Sequence, residues 1–579
     1  MLPKTLDVAV IGGGVAGAYS AWRLQQELGK DRSIGLFEYS DRIGGRLYSV
    51  TVPGVPSIKA ELGGMRYIPE SHKMVADLVE HLELRTRDFP MGAPDPVGAN
   101  CNLFYLRGRH LRLHELSDPD KVPYNLAWSE RGLGPTNLQV QVMNNIYPGF
   151  GDLALCDMMK LNVFGKPIWQ YGFWDLMFRV LSNEGYQFMK DAGGYDANVA
   201  NANAATQLPA TEYGDETEYL TLCEGYQHLP ETLARLFNDE LAGVSGKGDR
   251  VFMNQRLTEI RPGTGDYRYA LIFEPTETRD ARTIPLQGGG PVTVEANSIV
   301  LALPRRSLEL IECDALDTDA WYAANRDSVL IQSAFKLFMA YEQPWWRSLG
   351  LVSGRSVTDL PIRQLFYFGT EGEEKGGEPF MNSLMMASYN DISTVPFWKG
   401  LEIGEPYAGY MPACIEPGVT NPIPVTEHRA TQEMVHVANS QIATVHALPE
   451  IPAPYSAVYH TWNEDPYGGG WHEWKAGYRL DRIMWKMLKP VDGEDIHICG
   501  EAYSYDQGWV EGSLTTAEQM LESHFGLKRP RWLDSDYDLM PCPEQGCEVT
   551  GCVPTADTTQ LIEQLAALTP SCLDKREIS

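Results

Sequence analysis

One short stretch near the N-terminus restricts the possible folds more than any other part of the sequence. Residues 7–11 (DVAVI) are apolar and β-branched, and they lead through residues 12–17 (GGGVAG) into the helix-forming residues 18–28. A second apolar stretch, residues 34–37, ends at the acidic residue Glu38. The order of strand, glycine turn, helix, strand and acid predicts a Rossmann-type β-α-β unit in an α/β fold.

Each glycine of the turn has its own physical task in such a unit. Gly12 allows the tight turn, Gly14 lets the backbone approach a pyrophosphate, and Gly17 allows close contact between helix and strand. The first N–H groups of the helix are free to bind the anion, and the Glu38 carboxylate can accept hydrogen bonds from a ribose diol. We therefore predict that a dinucleotide contacts Gly12, Gly14, Val15, Ala16, Gly17, Glu38 and Tyr39.

The next element identifies the dinucleotide. Residues 41–46 (DRIGGR) bring a glycine pair and Arg46 close behind Glu38, and a guanidinium there can contact the same pyrophosphate. Nicotinamide-binding Rossmann domains have no use for this element, and the combination resembles the amine oxidase family of FAD-dependent flavoproteins. That resemblance implies further FAD contacts from distant segments: Gly45, Arg46, Gly63, Gly64, Met65, Arg66, Leu257, Gly500, Glu501, Trp509, Val510 and Ser513.

Residues 61–67 (ELGGMRY) narrow the resemblance within that family. The Gly-Met-Arg arrangement is similar to that of flavin-dependent L-amino acid oxidases, in which the arginine forms a bidentate pair with the substrate α-carboxylate. Monoamine and polyamine oxidases lack this arginine, because their substrates carry no carboxylate. The resemblance therefore assigns the substrate carboxylate to Arg66.

Two more stretches match the same family. Residues 333–338 (SAFKLF) carry Lys336 inside an apolar strand, and the resemblance implies that this lysine holds a water against flavin N5. Residues 359–367 (DLPIRQLFY) resemble the stretch that supplies a tyrosine hydroxyl to the substrate carboxylate, with Tyr367 at the matching position. A plain core tyrosine is the alternative for Tyr367.

Two tryptophans complete the predicted pocket. In residues 508–513 (GWVEGS), the Gly508 carbonyl would receive the substrate amine, Trp509 would form a wall, and the following helix would direct its dipole at the flavin. Residues 462–471 resemble the monoamine oxidase stretch whose cysteine attaches to FAD, but Trp471 occupies the cysteine's place. We therefore expect non-covalent FAD and a catalytic set of Arg66, Lys336, Tyr367, Trp471, Gly508 and Trp509.

Composition limits the possible partners and the location. The 77 acidic and 48 basic residues give a net charge of −29, which repels nucleic acid and anionic membranes. No apolar run of about 18 residues or N-terminal leader is evident, so we expect a cytoplasmic protein. The spacing of Cys542, Cys547 and Cys552 fits zinc poorly, so we expect no metal site, and either free thiols or one disulfide in a loose tail.

The resemblance implies a glutathione-reductase-like fold with three parts and a tail. We expect an FAD-binding domain from residues 1–68, 228–310 and 485–525, and a mixed-sheet substrate domain from 69–110 and 311–484. A helical insertion would occupy 111–227 and the tail 526–579. Local patterns predict helices over 72–84, 427–448, 512–524 and 559–568, strands over 251–260 and 298–303, and a loop over 197–206.

The implied reaction is oxidative deamination of an L-amino acid to a 2-oxo acid, with ammonia and hydrogen peroxide as products and molecular oxygen as co-substrate. One alternative is an amino acid 2-monooxygenase, which would release an amide and carbon dioxide. The others are an amine or polyamine oxidase and a non-catalytic FAD-binding scaffold. The sequence leaves open whether the side-chain pocket favours apolar or basic substrates, and a homodimer is the expected oligomer.

Overall fold

The computed structural model describes residues 2–28, 32–92, 102–206, 217–239, 250–279, 282–373, 382–410 and 428–542. The strands, in chain order, are β1 (Thr5–Ile11), β2 (Ile34–Phe37), β3 (Ser49–Thr51), β4 (Lys59–Glu61), β5 (Thr86–Asp88), β6 (Leu103–Leu106), β7 (Arg109–Arg112), β8 (Asn162–Val163), β9 (Lys166–Pro167), β10 (Leu220–Leu222), β11 (Val251–Phe252), β12 (Gln255–Pro262), β13 (Tyr269–Arg279), β14 (Arg282–Pro285), β15 (Val292–Leu301), β16 (Glu312–Cys313), β17 (Val329–Gln332), β18 (Ala334–Tyr341), β19 (Arg355–Thr358), β20 (Gln364–Thr370), β21 (Ser383–Asp391), β22 (Ser456–Trp462), β23 (Trp471–Trp474) and β24 (Ile496–Ile498).

The α-helices, in chain order, are α1 (Val15–Leu28), α2 (Lys73–His81), α3 (Pro135–Ile146), α4 (Leu155–Met158), α5 (Phe173–Val180), α6 (Asn183–Gly193), α7 (His228–Asp239), α8 (Arg305–Glu309), α9 (Asp314–Asp317), α10 (Ala320–Asn325), α11 (Val395–Lys399), α12 (Gln432–Val445), α13 (Leu480–Met487) and α14 (Val510–Phe525). Short 3₁₀ helices lie at Leu113–Ser117, Phe150–Asp152, Ile168–Gln170, Asp196–Val199, Arg326–Ser328, Trp345–Leu349 and Glu501–Tyr503.

The glycine turn belongs to the larger of the two main sheets. Nine of the described strands form this sheet in the order β11-β2-β1-β15-β13-β12-β16, with β14 beside β13 and β24 beside β15. The strands β11, β2, β1, β15 and β24 run parallel to one another. The strand β13 pairs antiparallel with both β15 and β12. The predicted Rossmann-type β-α-β unit and α/β fold are confirmed.

Helix α1 is buried along most of its length, because other elements cover it on several sides. Every residue from Val15 to Gln25 is buried, and α1 contacts α7, α14 and β2. In the sheet below it, Ile11 of β1 is opposite Phe37 of β2. The two strands therefore end at the same sheet edge, and this register places the glycine turn beside Glu38.

The second main sheet is mixed, as expected, and its two faces serve different purposes. Its order is β22-β18-β21-β20-β19-β6-β7, antiparallel except for the parallel pair of β19 and β6. Side chains alternate between the faces of a strand. In β18, Phe335, Leu337 and Met339 pack in one cluster with α12, while Phe338 and Ala340 pack in another cluster on the opposite face. Alternation puts Lys336 on the face of Phe338.

The predicted helical insertion is present between β7 and β10. Helices α3, α5 and α6 pack on one another, and the short hairpin of β8 and β9 lies among them. The sequence did not indicate this hairpin. We propose the domain boundaries given above for the three parts, which the two sheets follow except at β16 of the larger sheet, beyond residue 310, and at the end of β7, beyond residue 110.

Several predicted element bounds need correction. The strand over 251–260 is divided into β11 and β12, because Asn254 has a left-handed φ of 59°. The strand expected over 298–303 is the end of the longer β15, and the helix expected over 72–84 ends at His81, before Glu83 with its φ of 53°. The expected loop 197–206 overlaps a short 3₁₀ helix.

Two predicted helices differ at their ends, and one is not described. Helix α12 begins after Thr431, whose side chain accepts a hydrogen bond from the Met434 N–H at 3.2 Å, and not at Glu427, which is outside the described residues. Helix α14 begins at Val510, before the expected start. The helix expected over 559–568 lies outside the described residues, as do Cys547 and Cys552.

The C-terminal segment is tied to the helical insertion. Cys542 forms a disulfide with Cys156 of α4, across 386 residues of sequence. The partner of Cys542 therefore lies outside the tail cysteines with which the sequence grouped it, and the segment up to Cys542 is packed, not loose. Within the described parts of the chain, no helix combines the length and the apolar character needed to cross a membrane.

Candidate active site

Two adjoining cavities lie between the main sheets. The first, which we call the cofactor cavity, is a cleft of about 1240 Å³, including space open to solvent, and extends from the glycine turn to the start of α14. The second, the substrate cavity, is a cleft of about 1610 Å³ beside the mixed sheet, again including space open to solvent. The residues that line both cavities mark the junction between them: Arg46, Gly64, Gly470, Gly508, Trp509 and Val510.

Most of the predicted FAD contacts line the cofactor cavity. These are Gly12, Gly14, Val15, Ala16, Glu38, Tyr39, Gly45, Arg46, Gly64, Leu257, Gly500, Glu501, Trp509, Val510 and Ser513. Gly63, Met65 and Arg66 line the substrate cavity instead. Gly17 is not among the lining residues. Sequence reasoning missed several wall residues, which are Gln255 and Arg256 at the start of β12, Ala302, Leu303 and Pro304 after β15, and Pro466 and Tyr467 after β22.

The glycine turn has the geometry expected of a phosphate cradle. Gly12 has a φ of +104°, and a Cβ there would lie 2.6 Å from the Ala302 carbonyl oxygen. A Cβ on Gly17 would lie 1.8 Å from the Gly12 oxygen, so Gly17 permits the helix to touch the strand. A Cβ on Gly14 would have its nearest neighbour, Gly45 Cα, at 3.9 Å, so the backbone of Gly14 faces open space in the cavity. The roles expected for the three glycines agree with this packing.

Glu38 is fixed at the adenosine end of the cavity. One carboxylate oxygen accepts the Gly13 N–H at 2.6 Å, and the other accepts the N–H and the hydroxyl of Ser40 at 2.9 and 2.7 Å. The neighbouring Tyr39 donates its hydroxyl to the Thr283 carbonyl at 2.6 Å. These bonds hold the acid at the end of β2, in reach of a ribose bound in the cavity.

Glu501 organises the junction from beneath. Its carboxylate accepts hydrogen bonds from Arg46 Nη1 at 2.8 Å, from the N–H groups of His472 and Gly508 at 2.8 Å each, and from His472 Nδ1 at 2.9 Å. Burial raises the pKa of Glu501, but Arg46 and His472 outweigh burial and lower that pKa to about 2. The ionised carboxylate therefore ties three separate chain segments together at the point where the two cavities meet.

The far end of the cofactor cavity is formed by the start of a buried helix. Trp509 precedes α14, and no side chain caps the helix there. The backbone N–H groups of the first turn, with Val510 and Ser513 at the cavity wall, present a partial positive charge. Such a helix terminus suits an electron-rich ring edge that gains negative charge on reduction.

The residues present fit FAD. The cavity joins an acid placed for a ribose, a turn open at Gly14 for a pyrophosphate, and a helix terminus placed for a flavin ring. Among the described residues, no cysteine lines either cavity.

Arg66 lies in the wall of the substrate cavity between aromatic rings. Its guanidinium carbon is 4.8 Å from the ring centre of Tyr219 and 5.4 Å from that of Phe89. Its Nη2 donates to the Tyr195 hydroxyl at 3.4 Å. The side chain is buried, with 5% of its residue surface exposed. The rings hold the guanidinium plane in place, so one edge can serve a carboxylate in the cavity.

Lys336 reaches the same cavity from β18. Its ammonium donates to the carbonyl oxygens of Glu61 at 3.1 Å and Gly63 at 2.5 Å, and to the Met65 sulfur at 3.3 Å. Burial lowers the pKa of Lys336 to about 7, while Glu61 opposes this shift and Arg66 adds to it. The lysine thus lies beside the backbone segment that leads to Arg66, and its proton is held less tightly than that of an exposed lysine.

The placement of Tyr367 corrects the sequence prediction. Its hydroxyl bonds to Ser356 at 2.9 Å and to His446 Nε2 at 2.9 Å, and its ring packs in the cluster of α12. Tyr367 is not among the residues that line the substrate cavity. The physical reason is strand alternation, because Phe366 and Phe368 occupy the face toward Lys336 and Tyr367 points to the opposite face.

Two other tyrosines line the substrate cavity beside Arg66. Tyr389 of β21 is opposite Lys336, whose Nζ lies 4.6 Å from the Tyr389 ring centre. Tyr195 meets Tyr389 edge to face at 5.2 Å. No local motif marks either residue, although the alternation of β21 could have selected Tyr389 once β18 and β21 were paired.

The wall of the substrate cavity also carries three acids, which the sequence did not reveal. Asp391, Glu473 and Asp506 all line it. Burial raises the pKa of Glu473 to about 8 and that of Asp506 to about 6, and burial with the nearby Asp196 raises the pKa of Asp391. Trp471 also lines this cavity, and its ring lies 3.6 Å from the position that a Gly508 side chain would take.

Comparison with known proteins places the chain in a family. The family model for flavin containing amine oxidoreductases matches residues 15–396. Aplysianin-A of Aplysia kurodai is 30% identical over 90% of both chains, and an L-amino-acid oxidase of Mus musculus is 24% identical over 88% of this chain and 69% of its own. A putrescine oxidase structure superposes with a TM-score of 0.61 at 16% identity, covering 90% of this chain and 99% of its own.

The chain belongs to the flavin-containing amine oxidoreductases. It is an FAD-dependent oxidoreductase, as the sequence motifs predict.

Proposed function

We propose that the protein catalyses the oxidative deamination of L-amino acids. An amino acid, oxygen and water give a 2-oxo acid, ammonia and hydrogen peroxide. The observation that carries this proposal is a buried arginine, Arg66, in the wall of a cavity that meets the flavin end of the cofactor cavity. The name of the mouse relative supports the same substrate class.

Arg66 binds the α-carboxylate, with the Tyr195 hydroxyl beside it and Tyr389 in the same cavity wall. A charge-assisted, bidentate pair in a cavity of low water content gives both affinity and orientation. The Gly508 carbonyl at the junction accepts an N–H of the substrate amine and directs Cα toward the flavin end. The substrates of amine and polyamine oxidases carry no carboxylate for Arg66 to bind, so a buried arginine in this cavity wall argues against that alternative.

FAD supplies the hydride acceptor and the place where oxygen is reduced to hydrogen peroxide. The chain contributes orientation and electrostatics. Trp509 and Trp471 exclude water and hold the substrate, and the ammonium of Lys336 favours the negative charge that develops as oxygen receives electrons. The water that the family resemblance assigns to Lys336 remains a proposal. Transfer of a hydride from a neutral amine needs no strong base.

We extend the proposal to the substrate side chain and favour basic amino acids. Asp391, Glu473 and Asp506 line the same cavity as Arg66. Buried carboxyl groups are costly to ionise without a cation. A lysine or arginine side chain would supply that cation and would draw the three pKa values down, whereas an apolar side chain would bring no positive charge to them.

The flavin is bound without a covalent bond in this proposal, because Trp471 replaces the cysteine and no cysteine lines the described cavity walls. For the compartment, the Cys156–Cys542 disulfide argues against the cytoplasm, since disulfides persist in oxidising environments. We therefore propose an oxidising compartment in place of the cytoplasmic location expected from sequence. The homodimer stays a prediction.

A substrate panel with product analysis tests the proposal. We expect hydrogen peroxide and ammonia in equal amounts from L-amino acids, with L-lysine and L-arginine ahead of L-leucine and L-phenylalanine. Heat precipitation should release free FAD. An amide with carbon dioxide would favour the 2-monooxygenase, faster turnover of diamines would favour a polyamine oxidase, and a flavin that no amino acid bleaches without oxygen would favour a non-catalytic scaffold.

A further inference from the structure

The C-terminal segment, residues 526–542, packs against the cofactor-binding part of the molecule. Leu527, Leu533, Leu539 and Met540 are buried in the main core cluster. The Trp532 ring stacks on His81 of α2 at 5.6 Å. Hydrogen bonds also fix the two ends of the segment. Arg23 Nη2 donates to the Lys528 carbonyl at 2.7 Å, and Trp485 Nε1 donates to the Pro541 carbonyl at 3.0 Å. The segment therefore holds a defined position on α1, α2 and α13.

One side chain of this segment reaches the active-site helix. The Tyr537 hydroxyl donates to the Glu511 carboxylate at 2.5 Å. Glu511 is fully buried in the first turn of α14, two residues after Trp509. The same carboxylate accepts the N–H groups of Met74 and Val75 at 2.9 Å each. The hydroxyl is thus the third donor to a buried acid whose other donors are main-chain groups.

Glu511 joins the starts of two helices. Met74 and Val75 lie in the first turn of α2, and no side chain at the start of α2 caps that helix. Glu511 therefore caps α2 from α14, and this contact fixes the distance between the two helix starts. Burial raises the pKa of Glu511 to about 7, and its three hydrogen bonds favour the ionised form. Loss of one donor weakens the junction.

The junction in turn fixes Trp509. The His72 ring, just before α2, lies 4.6 Å from the Trp509 ring. His72 is itself held, because its Nδ1 accepts the Ile68 N–H at 3.0 Å. Trp509 is therefore set from one side by α14 and from the other by His72, and Glu511 links α14 to the start of α2, which follows His72. Since Trp509 lines both cavities, its orientation shapes the contact between flavin and substrate.

We infer that Tyr537 is a positioning residue: through Glu511 it sets Trp509 between the cofactor and the substrate, so the C-terminal segment completes the active site. Its effect on substrate affinity rests on the proposed function, whereas its effect on the bound flavin does not.

The test is Tyr537→Phe in the full-length holoenzyme. We expect the Kd for L-lysine, measured anaerobically, to rise roughly tenfold, because the lost hydrogen bond to a charged group is a strong one. The visible circular dichroism of bound FAD should change as Trp509 shifts. Reoxidation of the reduced enzyme by oxygen should stay within about twofold, since Lys336 is not part of this junction.

Tyr19→Phe is the matched control. Tyr19 also donates its hydroxyl to a buried glutamate of α14, Glu518, at 2.7 Å, but two turns further from Trp509. The Tyr19→Phe variant should lower the melting temperature about as much as Tyr537→Phe does. It should leave the Kd for L-lysine and the circular dichroism of bound FAD unchanged. If Tyr537→Phe does no more than Tyr19→Phe, the segment is only structural and the inference is wrong.

Glu511→Gln provides a second route if Tyr537→Phe is too unstable to purify. It should change the Kd and flavin signal in the same direction, and adding Tyr537→Phe should change them little further, because both residues act through one contact. Additive effects of the two substitutions would overturn the inference. If no amino acid perturbs the wild-type flavin, the proposed function fails, and the flavin signal of the variants still decides the role of Tyr537.

Discussion

The two cavities are built from the sequence in different ways. The walls of the cofactor cavity include short contiguous runs, such as residues 14–16, 37–39, 44–47 and 508–510. The substrate cavity has such runs too, at residues 62–66, 470–473 and 505–510, but the side chains to which we give a function there come from separate elements, such as Arg66, Tyr195, Lys336, Tyr389 and Glu473. The first site is largely a matter of backbone shape, whereas the second depends on which face of a strand each side chain occupies.

The strongest test of this contrast is Gly17→Ala. A Cβ at Gly17 would lie 1.8 Å from the Gly12 oxygen, which belongs to the backbone and has no room to move. We expect a loss of at least about 3 kcal/mol in the free energy of unfolding, and little FAD in any folded protein. Thermal unfolding and the ratio of flavin to protein absorbance measure both effects.

Gly14→Ala is the matched control for that experiment. The nearest atom to a Cβ at Gly14 is 3.9 Å away, in the open cavity. The variant should fold with nearly normal stability and bind FAD weakly, because the methyl group occupies the place of the pyrophosphate. A Gly17→Ala protein with normal FAD content would show that backbone shape is not what the glycine turn provides.

This difference explains how far the sequence could predict the molecule. The β-α-β unit, the Gly-Gly-Arg element and the position of Arg66 follow from residues close together in the chain, so local patterns were sufficient. The predicted substrate contact of Tyr367 was wrong because it depended on strand register. A shift of one residue moves a side chain to the other face of a strand. The three acids of the substrate cavity could not be predicted, since Asp391, Glu473 and Asp506 come to the same cavity only through tertiary packing.

The cysteines give a second example. The sequence grouped Cys542 with Cys547 and Cys552 by spacing, but its partner is Cys156, in the helical insertion. Nothing local to either residue marks this pairing, because it depends on how the C-terminal segment crosses the surface. The same path brings Tyr537 to Glu511, so the segment that the sequence left unexplained is the one that reaches the active-site helix.

Arg66→Ala should have the next largest effect, and it acts on the substrate cavity alone. Removing a charge-assisted pair leaves a substrate carboxylate uncompensated, a loss of about 2–5 kcal/mol. We expect kcat/KM for an L-amino acid to fall by roughly thirty- to several thousand-fold, since about 1.4 kcal/mol corresponds to a factor of ten. Steady-state peroxide assays measure this loss.

Two comparisons make that result specific. Arg66→Lys should recover only part of the activity, because an ammonium lacks the planar fork of the guanidinium. FAD content should stay near normal in both variants, and the amine analogue of the substrate, which has no carboxylate, should lose little further activity. Near-native kcat/KM of Arg66→Ala on amino acids would remove the reason to favour amino acids over simple amines.

The smallest predicted effect separates the two faces of the mixed sheet, by comparing Tyr389→Phe with Tyr367→Phe. We expect Tyr389→Phe to raise KM for L-lysine roughly three- to tenfold, the loss of about one hydrogen bond, with a nearly normal melting temperature. Tyr367→Phe should instead lower the melting temperature, because it leaves Ser356 and His446 without their buried partner. Its kcat/KM should remain within about twofold of the wild type.

Melting curves and steady-state kinetics of the two variants test this comparison. If strand alternation decides function here, Tyr389→Phe changes KM without the melting temperature, and Tyr367→Phe changes the melting temperature without the kinetics. A Tyr367→Phe enzyme that loses substrate affinity while keeping its stability would mean that the face toward α12 also reaches the substrate.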